Sequence, residues 1–217
     1  MEPVAAALAR LSKAQATSAK ELDMLSFSHA TSPAWASAGI AAVVRLCHDP
    51  AAAADAAHAL GRLTNSIVVG NDKRIREAGA VPPLVALLSG GPESNAAGRA
   101  AGALGNLAYG DEASRVAMVE AGAVPLLVAL LSGGPKSVTA GRAAGVLANL
   151  ACDNEANKVA IREAGAIAPL VALLSGGPAS EAAGSVALAL RNLTSDDEGE
   201  PAVIEAGDAN RAAIIEA

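Results

Sequence analysis

The chain has 217 residues, of which 52% are hydrophobic and 1% aromatic, and its formal net charge at pH 7 is −6. The hydrophobic share excludes a disordered chain, and the acidic balance argues against nucleic acid as the main partner, because phosphate-binding domains carry a clustered basic excess. With so few aromatic side chains, the core must be built from Ala, Leu, Val and Ile, which suits closely packed helices.

Residues 1–35 begin the chain with an alanine-rich stretch that carries Arg10, Lys13 and Lys20. We interpret this stretch as an N-terminal capping helical segment, because a stack of repeats needs a cap over the apolar face of its first unit. A transit peptide is the alternative, and it is disfavoured because transit peptides are richer in Arg. No run of about 18 apolar residues is free of charges or of Gly and Pro breaks, so we expect no membrane span.

A short phrase, Glu-Ala-Gly-Ala, recurs at 77–80, 120–123 and 163–166, with a step of 43 residues each time. Each copy is followed by Val or Ile, a Pro, the run Leu-Val-Ala-Leu-Leu and then Ser-Gly-Gly-Pro. A period of about 40 to 50 residues is typical of a stacked-repeat solenoid. The spacing therefore predicts a long binding surface and not a globular enzyme domain.

The copy at 111–152 predicts three helices. Gly122 ends a short first helix, because Gly tolerates the left-handed conformation that helix ends often need. Pro125 begins a second, largely buried helix, where the missing N–H of proline does no harm. Pro135 begins a third, longer helix that runs to about Cys152. The same order predicts second helices near 81–89 and 167–175 and third helices near 93–109 and 179–195.

A degenerate earlier copy precedes these three, with a second helix expected around 41–47 and a third around 52–64. The repeats, about four with the first degenerate, are therefore expected to cover 36–195. We interpret 196–217 as a polar loop and the start of a truncated further repeat, because 209–217 resembles the first helix of the preceding copy. An uncapped end would expose apolar surface, so self-association is a further expectation.

The order of two short helices and one long helix, with Gly and Pro at the helix boundaries, resembles the armadillo repeat. The resemblance rests on Glu-Ala-Gly-Ala-Val-Pro at 77–82 and 120–125, on Leu-Val-Ala-Leu-Leu at 84–88 and 170–174, and on Leu-x-Asn-Leu at 104–107, 147–150 and 190–193. It implies an all-α fold, a right-handed armadillo-repeat superhelix (an α-solenoid) built from three-helix repeats.

In the armadillo family the third helices line a concave groove that binds extended peptides, and a ladder of Asn side chains pairs with the peptide backbone. The matching positions are Asn106, Asn149 and Asn192, while the earlier copy has Arg62 at this position. An Asn amide offers both a donor and an acceptor, so it can satisfy one peptide unit whatever the side chain. The alternative stays open that these Asn are structural polar groups bonded to neighbouring loop carbonyls.

Arg99, Arg142 and Tyr109 lie at helical spacing from the Asn positions and so share their face. Together with Arg62, the arginines would line the groove with positive charge, and Arg grips carboxylates bidentately. This pattern indicates an acidic or phosphorylated partner segment. The alternative is that the arginines are solvated or paired with acids of adjacent repeats.

Nuclear-import adaptors of the family place Trp four residues before the Asn, where this chain has Gly102, Gly145 and Leu188. Slots for Lys and Arg stems are therefore not expected. The resemblance is closer to the catenin and vacuolar types than to the nuclear-import-adaptor type.

The sequence carries only weak signals of a catalytic, phosphate-binding or metal site. Ser-Gly-Gly-Pro lacks the Lys-Ser/Thr of a phosphate-binding loop, and the three His residues do not fall at metal-ligand spacing. We expect no enzyme activity, no catalytic residue, no metal and no cofactor. Cys47 and Cys152, far apart in the sequence, are expected to be buried or half-buried in a reducing compartment, which indicates an intracellular protein, cytoplasmic or nuclear and not secreted.

The resemblance thus implies a non-catalytic protein–protein interaction scaffold that binds an extended partner segment in the groove of the third helices. The alternative is a targeting or structural armadillo module of a larger protein, such as a ubiquitin ligase or a membrane-tethering adaptor.

Overall fold

The computed structural model describes residues 33–65, 70–177, 180 and 182–195, and every regular element in these ranges is helical. The predicted polar loop and further repeat at 196–217, and nearly all of the predicted capping segment, lie outside them. The α-helices are α1 Pro33–Leu46, α2 Ala53–Thr64, α3 Asn71–Glu77, α4 Val81–Leu87, α5 Asn95–Ala108, α6 Glu112–Glu120, α7 Ala123–Leu130, α8 Val138–Ala151, α9 Glu155–Glu163, α10 Ile167–Leu173 and α11 Ala183–Thr194. Single turns of 3-10 helix extend α4, α7 and α10 over Leu88–Gly90, Leu131–Gly133 and Leu174–Gly176.

The predicted short-short-long order is present three times, as α3–α5, α6–α8 and α9–α11, and the pair α1 and α2 precedes it. The long helices pack side by side in a row, α2 against α5, α5 against α8 and α8 against α11. Helix on helix is the only layer that forms in the described ranges, so the chain is an all-α solenoid.

Small residues allow the long helices to approach closely. A Cβ atom built on Gly61 of α2 would lie 3.4 Å from the Cα atom of Ala103 on α5. On α8 the corresponding atom of Gly141 would lie 3.3 Å from the Cα atom of Ala182, the N-cap of α11. The scarcity of aromatic residues is thus matched by a tight helix spacing that large side chains could not occupy.

Two predicted helix starts in the middle copy were wrong. The third helix begins at Val138 and not at Pro135, because the Oγ atom of Ser137 accepts a hydrogen bond from the backbone N–H of Ala140 at 3.2 Å and caps the helix there. The second helix begins at Ala123 and not at Pro125. Its N-cap is Gly122 in the left-handed conformation, so only Ala121 and Gly122 separate the two short helices.

Polar side chains of the short helices α3 and α9 donate hydrogen bonds to carbonyls at the C-terminal ends of the long helices. Asn71 on α3 donates to the carbonyl of Leu63 at 3.1 Å, and Asn157 on α9 donates to that of Leu150 at 2.9 Å. The last carbonyls of a helix have no partner within the helix, so these bonds satisfy groups that burial would otherwise leave unpaired. In the last described repeat the buried Lys158 donates to the carbonyl of Ser195 at 3.1 Å.

No single helix among the described residues is long and apolar enough to cross a bilayer. Two sharply bent pairs, Glu112–Glu120 with Ala123–Gly133 and Glu155–Glu163 with Ile167–Gly176, reach that length and composition only when each pair is taken together.

The Ser-Gly-Gly-Pro loops stack on one another from repeat to repeat. A Cβ atom on Gly133 would lie 2.9 Å from the Cβ atom of Pro92, and one on Gly176 would lie 2.8 Å from that of Pro135. Gly133 and Gly176 therefore each receive the proline ring of the preceding repeat. The motif is a joint between repeats.

Gly133→Ala should destabilise the protein by roughly 1–3 kcal/mol, because its Cβ atom would lie 2.7 Å from the Oγ atom of Ser137 and 2.9 Å from the Cβ atom of Pro92. Gly184→Ala is the matched control, since no described atom lies within 4 Å of the Cβ position of Gly184. The control should unfold at or slightly above the wild-type temperature. Thermal unfolding followed by circular dichroism checks both variants, and equal midpoints for the two would contradict the joint.

A pair of carboxylates lies where α3 meets the start of α6. Burial, and then the charge of Asp111, raise the pKa of Asp72 above the ordinary aspartate value. The Oδ1 atom of Asp72 is buried and accepts no hydrogen bond from the described residues. Burial acts to raise the pKa of Asp111 as well, but hydrogen bonds from Ser114 and Arg76 outweigh it and lower that pKa. The ionised form of Asp72 is therefore disfavoured by folding.

Asp72→Asn should stabilise the protein at pH 7, by roughly 0.2–1 kcal/mol after solvent screening. A group whose pKa is raised on folding stabilises the fold while it is protonated and loses that contribution as the pH rises through its folded pKa. The advantage of the variant should therefore shrink as the pH falls through the pKa of Asp72. Urea unfolding at a series of pH values measures this, and a pH-independent difference would refute it.

Candidate functional site

One groove of about 820 Å³ runs along α2, α5 and α8 and reaches α11. Its lining contains six of the seven residues that the sequence assigned to partner binding, namely Arg62, Arg99, Asn106, Tyr109, Arg142 and Asn149. The seventh, Asn192, is not part of the lining. The structure therefore brings side chains that are up to 87 positions apart in the sequence onto one surface.

The floor of the groove consists of small residues. Ala101, Gly102, Ala103 and Gly105 of α5 line it, followed by Gly145 of α8. Such a floor leaves the backbone of a bound segment free to come close to the long helices. The polar side chains stand along this floor, so their geometry decides what the groove can recognise.

Two Asn side chains of the groove are held by the preceding long helix. The Nδ2 atom of Asn106 donates to the carbonyl of Gly61 at 2.9 Å, and that of Asn149 donates to the carbonyl of Gly105 at 3.1 Å. Part of the alternative interpretation is thus present, although the acceptors belong to helices and not to loops. Each amide keeps a second N–H and an Oδ1 atom that form no hydrogen bond with the described residues.

Asn192 differs from the other two. It is buried, with 9% of its surface exposed, and its Nδ2 atom donates to the carbonyl of Ala148 at 2.9 Å. Its Oδ1 atom accepts from the Nε and Nη2 atoms of Arg191 at 3.4 and 3.3 Å. Both ends of this amide are therefore engaged within the protein.

The arginines of the groove differ in their partners. The Nη1 atom of Arg99 lies 3.4 Å from a carboxylate oxygen of Asp55 on α2, and its Nε atom donates to Asn95 at 3.0 Å. The Nη1 atom of Arg142 donates instead to the carbonyl of Gly98 at 2.9 Å, which is a neutral acceptor. Pairing with an acid of the adjacent repeat, the alternative for these residues, is thus present at Arg99. At Arg142 no carboxylate of the described residues compensates the charge.

Sequence reasoning did not single out Asn95, which lines the groove at the start of α5. The signal was present, because Asn95 precedes Arg99 by four residues and so lies on the same helix face. The backbone carbonyls of Gly61 and Gly105 were also missed. No side-chain pattern reveals which carbonyl an amide will bond.

The long helix α5 ends in an exposed aromatic side chain. Tyr109 is its C-cap and is 79% exposed, the largest exposed fraction among the large hydrophobic residues of the described ranges. Cys152 occupies the same place after α8 and is exposed, so the expectation of a buried or half-buried thiol was wrong there. Cys47 is buried, and burial raises the pKa of its thiol to about 12.

Across the part of the chain that the structure describes, no group of three or more His, Cys, Asp or Glu residues is placed to hold a metal ion. The groove instead presents amides, guanidinium groups and one phenol along a floor of Ala and Gly. This is the surface of a helical-repeat scaffold.

The model of the Armadillo/beta-catenin-like repeat matches residues 70–109, 111–152 and 154–195, which is more than half of the chain. The chain belongs to the armadillo repeat family. The matched ranges coincide with α3–α5, α6–α8 and α9–α11. A search of curated proteins gives no match.

Solved structures of engineered proteins have the same fold. One engineered protein superimposes with a TM-score of 0.79 at 29% identity, over 98% of this chain and 86% of its own. A computationally designed armadillo repeat protein for modular peptide recognition superimposes with a TM-score of 0.76 at 25% identity, over 95% of this chain and 87% of its own. These likenesses confirm the predicted armadillo-repeat solenoid.

A third structure is a designed armadillo repeat protein in complex with the peptide (KR)4. It superimposes with a TM-score of 0.71 at 22% identity, over 95% of this chain and 98% of its own, and it supports the fold alone. The armadillo-repeat fold is typically a non-catalytic scaffold, and the designed members named here bind peptides.

Asn192→Ala should destabilise the protein by roughly 1–3 kcal/mol, because it removes two hydrogen-bonded groups from a buried site. Asn106→Ala should cost less than about 1 kcal/mol, because water can replace the amide at an exposed position. Urea unfolding of both variants measures the difference. If Asn106→Ala proved the more damaging, the division into one structural and two groove-facing amides would be wrong.

Proposed function

We propose that this chain is a non-catalytic protein-binding scaffold whose groove holds an extended acidic or phosphorylated segment of a partner. One observation carries the proposal. The groove lining includes Arg62, Arg99 and Arg142 but, among the described residues, no Asp or Glu, although the chain as a whole has a net charge of −6. A basic groove on an acidic protein favours a ligand of negative charge.

The amides of Asn106 and Asn149 supply recognition of the backbone. One N–H of each is fixed on the preceding helix, so the side chain does not have to be ordered when a ligand binds. Pre-organised groups lose less conformational entropy on association, which raises affinity. The second N–H and the Oδ1 atom of each amide can then pair with the C=O and N–H of a peptide unit.

The guanidinium groups supply the preference for a negatively charged ligand. Arg forms short, charge-assisted and often bidentate hydrogen bonds with carboxylates and phosphates. Tyr109, exposed at the end of α5, adds an aromatic surface next to them, and Tyr and Arg are enriched among the residues that dominate binding energy. The (KR)4 peptide of the designed relative has the opposite charge, so this groove is proposed to differ from that one in ligand preference.

We place the chain nearer the catenin and vacuolar types of the family than the nuclear-import adaptors. Gly102, Gly145 and Leu188 line the groove where those adaptors carry Trp, and they leave no aromatic walls for Lys and Arg stems. An intracellular partner is proposed because Cys47 and Cys152 are both free thiols.

The test uses fluorescent peptides of alternating Glu and Ala, of alternating phosphoserine and Ala, and of alternating Lys and Ala. Fluorescence anisotropy should show that the wild-type chain binds at least one of the acidic peptides more tightly than the Lys peptide, with an affinity that falls as salt is added. The double variant Asn106→Ala/Asn149→Ala should weaken acidic-peptide binding by on the order of tenfold or more, at about one hydrogen bond per amide.

Val116→Ala is the control, since Val116 is exposed on α6 and does not line the groove. It should bind like the wild type. Equal affinity for all three peptides, or an unchanged affinity in the double Asn variant, would contradict the proposed function.

A further inference from the structure

We propose that Arg142 is the specificity-determining anion-binding side chain of the groove and that Gly102 is the seat that holds it in place. This inference rests on the proposed function and deepens it. It assigns the preference for a carboxylate or phosphate to one guanidinium group, and it assigns a ligand-related role to a glycine that a helix would otherwise disfavour.

The seat is defined by the contacts of Gly102. The three atoms nearest to a Cβ atom built on Gly102 are the Cδ, Nε and Cζ atoms of Arg142, at 3.6, 3.6 and 3.9 Å. One turn earlier, the position of a Cβ atom on Gly98 lies 3.8 Å from the Nη1 atom of Arg142. The side chain of Arg142 therefore lies along α5, over two glycines.

Gly102 differs from the glycines that bring helices together. The Cβ positions of Gly61 and Gly141 meet the backbone of the neighbouring helix segment at 3.4 and 3.3 Å. The nearest neighbours of Gly102 are side-chain atoms, and they lie at ordinary contact distance. Helix packing therefore accounts for Gly61 and Gly141, whereas at Gly102 the space beyond the Cβ position is filled by the side chain of Arg142.

The hydrogen bonding of Arg142 leaves its binding edge available. Its Nη1 atom donates to the carbonyl of Gly98 at 2.9 Å, and the guanidinium makes no other hydrogen bond with the described residues. The Nε–H and the Nη2 group therefore stay available as a pair, which is the geometry that grips a carboxylate or phosphate bidentately. Because the carbonyl is neutral, the full positive charge of Arg142 remains in the groove.

Arg99 offers a comparison within the same groove. Its guanidinium lies 3.4 Å from a carboxylate oxygen of Asp55, and its Nε–H is engaged by Asn95. A ligand must compete with both partners at Arg99, whereas at Arg142 it meets an uncompensated charge. The two arginines, one repeat apart, should therefore contribute unequally.

The experiment is a double-mutant cycle on Gly102→Leu and Arg142→Ala, read as the dissociation constant of the acidic peptide that the wild type binds. Arg142→Ala should weaken binding by on the order of tenfold, and Arg99→Ala by clearly less. Gly102→Leu should weaken binding about as much as Arg142→Ala, because the leucine side chain would occupy the space of the guanidinium stem. The double variant should be no weaker than Arg142→Ala alone.

Gly184→Ala is the matched control. Gly184 lies on α11 outside the groove lining, and no described atom lies within 4 Å of its Cβ position, so affinity should be unchanged. Circular dichroism and thermal unfolding confirm that each variant folds. If Gly102→Leu does not fold, Gly102→Val takes its place in the cycle.

The outcomes distinguish the role of Arg142 from the proposed binding of an acidic segment. If the wild type binds an acidic peptide and Arg142→Ala binds it equally well, the assignment to Arg142 is wrong while the proposed function stands. If the losses in the double variant add, Leu obstructs the groove directly, and Gly102 is not a seat. If the wild type prefers neither acidic peptide to the Lys peptide, the proposed function fails and this inference fails with it. Comparison of the Glu and phosphoserine peptides shows which anion Arg142 prefers.

Discussion

The close approach of successive long helices is the constraint on which the rest of the molecule depends. Where α5 crosses α2, and again where α11 begins on α8, a Cβ atom added to the glycine of one helix would lie at about the closest distance that carbon atoms allow from an alanine of the next. A glycine within a helix is unfavourable by roughly 0.5–1 kcal/mol relative to Ala, so the packing it permits must offset that amount. The same spacing sets which carbonyl an Asn on one helix can reach on the helix before it.

The groove follows from this spacing. Because adjacent long helices are near enough for a side chain to bridge them, Asn106 and Asn149 are anchored at one N–H and keep the rest of the amide for a ligand. Arg99 and Arg142 obey the same geometry, and each reaches back to the preceding repeat. The group that each one reaches decides whether its positive charge is compensated. Arg99 reaches a carboxylate, whereas Arg142 reaches a glycine carbonyl. Nearly identical repeats thereby acquire different surfaces.

The period of the sequence predicted the helix order and placed six of the seven named residues along one surface, because both depend on spacing along single helices. It did not predict which of several local hydrogen bonds forms, or which partner a side chain finds on another helix. Pro135 and Ser137 are both good signals for a helix start, and the hydrogen bond of the serine decided between them. Asn192 matched its counterparts by position, but burial next to Arg191 engages its amide. The Asp55 partner of Arg99 lies 44 residues away, beyond any pattern within one helix.

The same contact between Ser-Gly-Gly-Pro loops joins successive repeats, so one repeat can take the place of another in the stack. Pro92 meets Gly133 and Pro135 meets Gly176 with the same chemistry, so Pro92 would fit Gly176 equally well if the unit between them were excised. The length of the binding surface can therefore change by whole units of 43 residues without a new interface being invented. A chain built in this way can first lengthen its groove by duplication of a repeat and later change the groove side chains of single repeats.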